Sequence, residues 1–595
     1  MQADRLDGRL PQDSIGGADF RSGFDGERGL ADFTVDRSVL KLVGLALVVG
    51  ALSSGVAVAL LALIGFFTHL AYYGDLGWHL ATPTLQRFGA WTVVIPVVGG
   101  LVVGLMARFG SERIRGHGIP EAMETILIGG SKVEPRLVFL KPLSSAITIG
   151  SGGPFGAEGP IILTGGAVGS VFAQFLHLTA RERRTLLVAG ASGGMAAVFG
   201  TPLAAVLFGV EILVFGWRPR SFVPIAASVG VAATLRTWFA SMGLLSKAPL
   251  FPLSVDPKLT ALLGVEALAV GLACGVLAWV LTAAVYGAED AFKHLPFHWW
   301  WWPAIGGLVI GIGGLVEPRA LGVGYGTIAD ELGGRIALGG LALLLVVKLV
   351  IWAVGLGSGT SGGVLAPQLL IGAAAGGLLG HAFGGHPGVW AVLGMGATLA
   401  GAMRAPLTAI VFSVELTHAV GLLLPLLVAA ATAFLLSVLL LKRSIITEKV
   451  ARRGFHVMRE YAVDPLEAMF VREVMRAVDP AEESDDAAGV VAFPDEVLRV
   501  VAGRMAAFEV DELPVVDPET GASVGTVTVF DLLAARRRQL LHDAQQIEYD
   551  TGGYIIWGFK RQLDAYSNLV QGLEPHRYLP CSNFRFSRAS FVRQP

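Results

Sequence analysis

The chain has 595 residues, of which 53% are hydrophobic and 15% charged, with a mean hydropathy of +0.63 and a formal net charge of −2. Soluble domains carry roughly 25% charged residues, so most of this chain is not built to face water, and it reads as a polytopic membrane protein. The near-zero charge gives no electrostatic reason to bind nucleic acid, and two cysteines, Cys274 and Cys581, are too few for a disulfide framework or a cysteine metal site.

Residues 1–37 mix Asp and Arg without an apolar core and read as a polar segment with no cleavable signal peptide. Residues 38–448 read as the membrane domain. Leu40–Phe67 is long enough to cross and tilt, at about 20 residues per span. Broken apolar segments then follow as far as residue 441. The run His298-Trp299-Trp300-Trp301-Trp302-Pro303 opens one of them as an interfacial aromatic anchor would. From Lys442 the composition turns charged. Residues 449–489 read as a linker, and 490–541 as helix, strand, turn, strand, helix, with Asp517–Gly521 as the turn. The tail 542–595 has no readable role, though its aromatics favour packing.

Two glycine-rich runs interrupt the apolar sequence. Gly150–Pro160 (GSGGPFGAEGP) and Gly357–Pro367 (GSGTSGGVLAP) share Gly, Ser, Gly, Gly and Pro at five offsets, 207 residues apart. Gly190–Glu211 aligns without gaps to Gly394–Glu415, 204 residues apart, with eight of 22 positions identical. The membrane domain is therefore a duplication, with repeats over about 38–250 and 258–448. Sequence alone leaves open whether the halves are parallel or inverted.

Glycine and proline this dense free backbone N–H groups at membrane depth, which a bilayer tolerates only inside protein or along a polar path. Such breaks in corresponding halves point to a transporter's binding site. A helix starting at each break offers unpaired N–H groups and a positive dipole end, and several converging would hold an anion without Lys or Arg. A third such start follows Gly116-His-Gly-Ile-Pro120. Glu158, at the start of one helix, could occupy that anion site itself and leave on protonation. Glu211 and Glu415 end equivalent apolar runs and read as helix caps, with proton transfer by Glu211 as the other reading. Lys141 could snorkel to an interface or raise the potential beside the path.

These motifs resemble the CLC family of chloride channels and proton-coupled anion transporters: GHGIP at 116–120 for the family's GSGIP, GAEGP at 156–160 for GREGP, and GVLAP at 363–367 for GxFxP. The resemblance spans about residues 38–455. It implies an all-α inverted repeat of about eighteen helical segments, a homodimer with one pathway per subunit, and a multi-pass location in the cell membrane with both termini cytoplasmic. It places Glu158 at the external gate and anion contacts at His117, Gly118, Ile119, Gly159, Val364, Leu365 and Ile446. The chain also departs from the family. His117 stands where chloride types usually carry Ser, and Ile446 where they carry Tyr. Ala157 replaces a common Arg, and Ile212 replaces the glutamate that serves as internal proton station. His117 could donate an N–H to the anion or join a proton route. Residues 490–541 resemble a single CBS module, a small α+β unit in which Thr528 and Asp531 would contact an adenine nucleotide, unless the module serves to stabilise the dimer.

The expected function is transport of small inorganic anions, chloride foremost, as a channel or as an anion/proton antiporter gated by Glu158. The alternatives are a CLC-type carrier for nitrate or fluoride, and a CBS-regulated cation transporter, which would need clustered carboxylates. No nucleophile–base set or metal-ligand spacing argues for an enzyme, and no cofactor is expected beyond the nucleotide.

Overall fold

The computed structural model describes residues 37–85, 87–127, 129–253, 260–455, 466, 469–477 and 490–535. Nearly all of the polar segment 1–37, most of the linker 449–489, the end of the module and the tail 542–595 lie outside the described residues. The chain divides into two compact units, one of them Phe33–Tyr461 and the other containing Ala462–Pro595.

Among the described residues of the first unit there are seventeen α-helices: α1 Ser38–Thr68, α2 Val94–Phe109, α3 Ile119–Leu127, α4 Leu137–Gly150, α5 Glu158–Phe175, α6 Ala180–Phe199, α7 Pro202–Phe208, α8 Pro219–Ser241, α9 Ala261–Lys293, α10 Trp302–Val316, α11 Tyr325–Leu332, α12 Leu338–Gly357, α13 Leu365–Phe383, α14 Pro387–Met403, α15 Pro406–Thr417, α16 Leu423–Leu440 and α17 Ile445–Arg452. Among these residues eight helical stretches are long and apolar enough to cross a bilayer. Their outer faces carry exposed Leu, Val and Trp, among them Leu47, Leu268, Trp279 and Leu435, as lipid contact requires. Helices α3, α5, α7, α11, α13 and α15 start at glycine or proline breaks. α17 crosses the boundary expected at residue 448, because its first turn is buried and it packs on α3.

The repeat is visible in the joints. α6 ends at Gly200 and α14 at Arg404, both in the left-handed conformation, and Pro202 and Pro406 then open α7 and α15. The helix pairs also pack alike. α5 meets α6 where Gly165 lies against the Gly190 carbonyl, and α13 meets α14 where Gly372 lies against the Gly394 carbonyl, the small-residue contact that lets membrane helices approach backbone to backbone.

The direction of the repeats follows from two carboxylates. Glu211, just beyond α7, accepts from Thr408 N (2.9 Å) and Oγ1 (2.6 Å) at the start of α15. Glu415, near the end of α15, accepts from Leu203 N (3.0 Å) and Ala204 N (2.8 Å) at the start of α7. Each helix end caps the other's beginning, so α7 and α15 run antiparallel. Equivalent helices that run antiparallel make an inverted repeat.

The second unit has its own small core of Val471, Leu498, Val501, Met505, Leu513, Val515 and Val527. Helix α18, Leu498–Phe508, is followed by antiparallel strands β1, Glu512–Val516, and β2, Ser523–Thr528, and a further helical stretch opens at 529. The turn falls at Asp517–Gly521, closed by Gly521 N to Asp517 O at 2.9 Å, with Asp517 Oδ1 accepting from Glu519 N at 2.8 Å.

Candidate anion site

The three glycine breaks meet. Gly116 bridges to Ser361 and Gly156 to Gly363 in isolated β-bridges, held by Gly116 N to Thr360 O and Gly363 N to Gly156 O, both 3.0 Å. The starts of α3, α5 and α13 are thereby drawn to one place inside the unit. Glycine is required there for room. A Cβ on Gly159 would collide with the His117 carbonyl oxygen, and one on Gly363 with the Glu158 carboxylate and the Gly156 carbonyl. Hydroxyls from α4 fasten the third break, at 357–367: Ser144 and Ser145 Oγ lie 3.2 and 2.8 Å from Ser361 Oγ.

Glu158, fully buried, sits at this junction. Its Oε1 accepts the Ala366 N–H at 3.0 Å, while Oε2 has no partner. Val364 and Leu365, the contacts expected from sequence, are the N-cap and first residue of α13 and are buried beside it. Ala366 was not foreseen. It is one residue further along the same turn, and its N–H is also one of those a helix start leaves unpaired. Gly159 lies in the first turn of α5.

On the other side of the junction stands His117, 2% exposed, with neither ring nitrogen hydrogen-bonded. Ile446 is fully buried in the first turn of α17 and offers only carbon. The nearby Tyr286 hydroxyl does not replace the missing donor, since it donates to the Ile445 carbonyl. Ile119 is the first residue of α3. Gly118 requires a correction: its N–H is not free for an anion, because it donates to Glu121 Oε2 at 2.8 Å. Glu121, missed from sequence, is 7% exposed and is held by Lys449 and Arg453, each 3.3 Å away. It fixes the start of α3 instead of lining a path.

Lys141 does not snorkel. It is fully buried, and its Nζ donates to the Ile114 and Gly116 carbonyls at 2.8 Å each. Lys348, 207 positions later, repeats this role on Ala320 (2.8 Å) and Gly322 (3.1 Å). The repeat offset read from the glycine runs would have found it. Glu211 takes the capping role that the sequence favours, its Oε2 accepting from Thr408 N and Oγ1 at the start of α15. The tryptophan run also makes a contact within the unit. Arg115, next to the first break, lies over the Trp299 and Trp302 rings at 4.6 and 5.8 Å.

In the second unit Thr528 and Asp531 are bonded to each other. Asp531 Oδ2 accepts from Thr528 N and Oγ1 at 2.9 and 2.6 Å, and Oδ1 accepts from Arg476 at 2.9 and 3.1 Å.

The family model for voltage gated chloride channels matches residues 99–438. The chain belongs to that family. An H(+)/Cl(-) exchange transporter ClcA of Vibrio campbellii is 32% identical over 375 residues, covering 59% of this chain and 77% of the relative. A ClcA of Klebsiella pneumoniae with the same description is 30% identical over 427 residues, covering 68% and 86%. Among solved structures, a slow cyanobacterial Cl-/H+ antiporter superimposes with a TM-score of 0.60 at 22% identity, covering 71% of this chain and 98% of that one. That likeness speaks to the CLC fold.

Proposed function

We propose that the protein exchanges chloride for protons, with Glu158 as the gate on which both movements depend. One observation carries the reading: the Glu158 carboxylate takes the Ala366 N–H from within the meeting point of three helix starts. Carboxylate and chloride compete for the same donors. Desolvated and surrounded by apolar protein, the carboxylate leaves them most cheaply as the neutral acid. Protonation therefore admits the anion, and its departure lets the ionised side chain return. Backbone partial charges suit this cycle, since a full cation would hold chloride too tightly to release it.

Relatives described as H(+)/Cl(-) exchange transporters favour chloride over nitrate or fluoride and exchange over passive flow. A cation carrier is disfavoured because Glu211 and Glu415 are spent on helix caps. With Ile212 offering no carboxylate, His117 and water are left to bring protons to Glu158 from the side of α17.

That side is the cytoplasmic one in this reading. Arg113, Lys132, Arg181, Arg183, Arg220 and Arg453 belong to the loops and helix ends around α17, the α5–α6 joint and the start of α1, in line with the positive-inside bias. The cell membrane and a homodimer belong to the same proposal; Leu203 and Leu407, equivalent in the two repeats, stand exposed on neighbouring α7 and α15 as a self-complementary apolar patch. The CBS-like module is assigned a packing role, since a nucleotide at Thr528 and Asp531 would have to displace Arg476.

Proteoliposomes with a chloride gradient test the exchange. The parent should drive protons uphill, and Glu158→Gln should pass chloride without protons. Chloride flux with no proton movement in the parent would make the protein a channel, and no anion flux at all would end the reading.

A further inference from the structure

A cavity of about 260 Å³ lies between the loop that follows α1, the loop that follows α8 and the start of α11, with Trp78, His79, Val198, Arg236, Ser246 and Tyr325 in its lining. A water occupies about 30 Å³ of liquid, so the space admits a monatomic anion with several waters. α1 crosses the membrane and α2 returns, which puts this cavity on the face opposite His117 and Lys449.

The polar lining is positive and underused. Arg236 is 3% exposed. Its Nη1 donates to the Ala197 and Val198 carbonyls (2.7 and 2.9 Å) and its Nη2 to the Ser246 carbonyl (2.8 Å), while Nε has no partner. Among the described residues no carboxylate pairs with it. Three neutral carbonyls take three of its five N–H groups but leave its full charge uncompensated, which is expensive in a buried position unless an anion completes it. Tyr325, wedged by its ring against Phe199 and Phe251, likewise has a buried hydroxyl with no partner. Ala157 brings no charge of its own beside the gate.

We propose that this cavity is an outer anion-binding site, in which a halide-class monovalent anion rests against Arg236 and the Tyr325 hydroxyl before reaching the place held by Glu158. Its use in transport rests on the chloride/proton reading, whereas its occupancy by an anion does not. The alternative role of Arg236, capping the end of α6, is real and coexists with it, because capping uses three of its five N–H groups and leaves the charge.

Bromide soaked into crystals of the full chain, located by anomalous diffraction, decides the matter. The parent and Glu158→Gln should both show bromide in the cavity. Arg236→Gln should lose it, Arg236→Lys should keep it, and Tyr325→Phe should lower its occupancy at least about three-fold. If Arg236→Gln fails to fold, the parent and Tyr325→Phe still decide. An empty cavity in Glu158→Gln crystals whose glycine-break site holds bromide would overturn the proposal, and so would full occupancy in both Arg236→Gln and Tyr325→Phe. An empty glycine-break site in Glu158→Gln beside a filled cavity would instead overturn the proposed gate and leave the outer site standing.

Discussion

His117 is the residue at which this chain differs most consequentially from the pattern it resembles. A buried imidazole with both nitrogens unpaired leaves donor capacity open to a water or an anion, because an unsatisfied buried polar group costs about 1–3 kcal/mol. Chloride is the natural partner in the proposed pathway. Replacing His117 with Ala should therefore raise the half-saturating chloride concentration of flux roughly ten-fold, the equivalent of about 1.4 kcal/mol. His117→Ser, which restores a donor, should stay within about three-fold of the parent. Identical half-saturation in all three proteins would return the ring to a local structural role. Glu158 was legible in sequence because a lone carboxylate in a glycine-rich run is conspicuous. Glu121 was not, since its role depends on Lys449 and Arg453, more than 300 positions away and brought to it only by α17 packing on α3.

The reciprocal capping of α7 and α15 is a property of the helix pair and of neither helix alone. Each carboxylate sits where a helix start offers unpaired N–H groups and a positive dipole end, an arrangement worth about 0.5–2 kcal/mol per cap. Glu211→Gln and Glu415→Gln should each lower the melting temperature in detergent by a few degrees. Because the two caps lie at opposite ends of the pair with separate partners, the double substitution should give close to the sum. Proton coupling should survive Glu211→Gln, and its loss would restore Glu211 to the proton route. The sequence did carry the repeat, the breaks and the capping tendency of both residues. It could not carry the inversion, which depends on which end of α7 meets which end of α15. Lys348 was within reach of the same repeat argument, lying 207 positions from Lys141 with carbonyl partners at equivalent places in its own repeat.

At the scale of the whole molecule, two units with separate cores imply separate unfolding events. The second unit was legible in outline because alternating apolar residues and an Asp-Pro-Glu-Thr-Gly turn specify a hairpin locally. The use of Thr528 and Asp531 was not, because Arg476, some 50 residues earlier, had to be seen against Asp531. That contact has a pH signature. Burial alone would push the Asp531 carboxyl up, but hydrogen bonds from Thr528 and Arg476 outweigh it and hold the group below the ordinary 3.8. A carboxylate depressed on folding stabilises the folded state above its unfolded value, and that contribution disappears as pH falls through the folded one. In the full chain, Asp531→Asn should speed hydrogen exchange of the β1–β2 amides roughly ten-fold at pH 7, leaving the α5, α6, α13 and α14 amides unchanged. The difference from the parent should shrink progressively below about pH 4, where the parent's own carboxylate takes up its proton. A difference that persists undiminished at pH 2 would mean that Asp531 acts through packing and not through its charge, and loss of protection in the membrane helices would mean that the two units do not unfold independently.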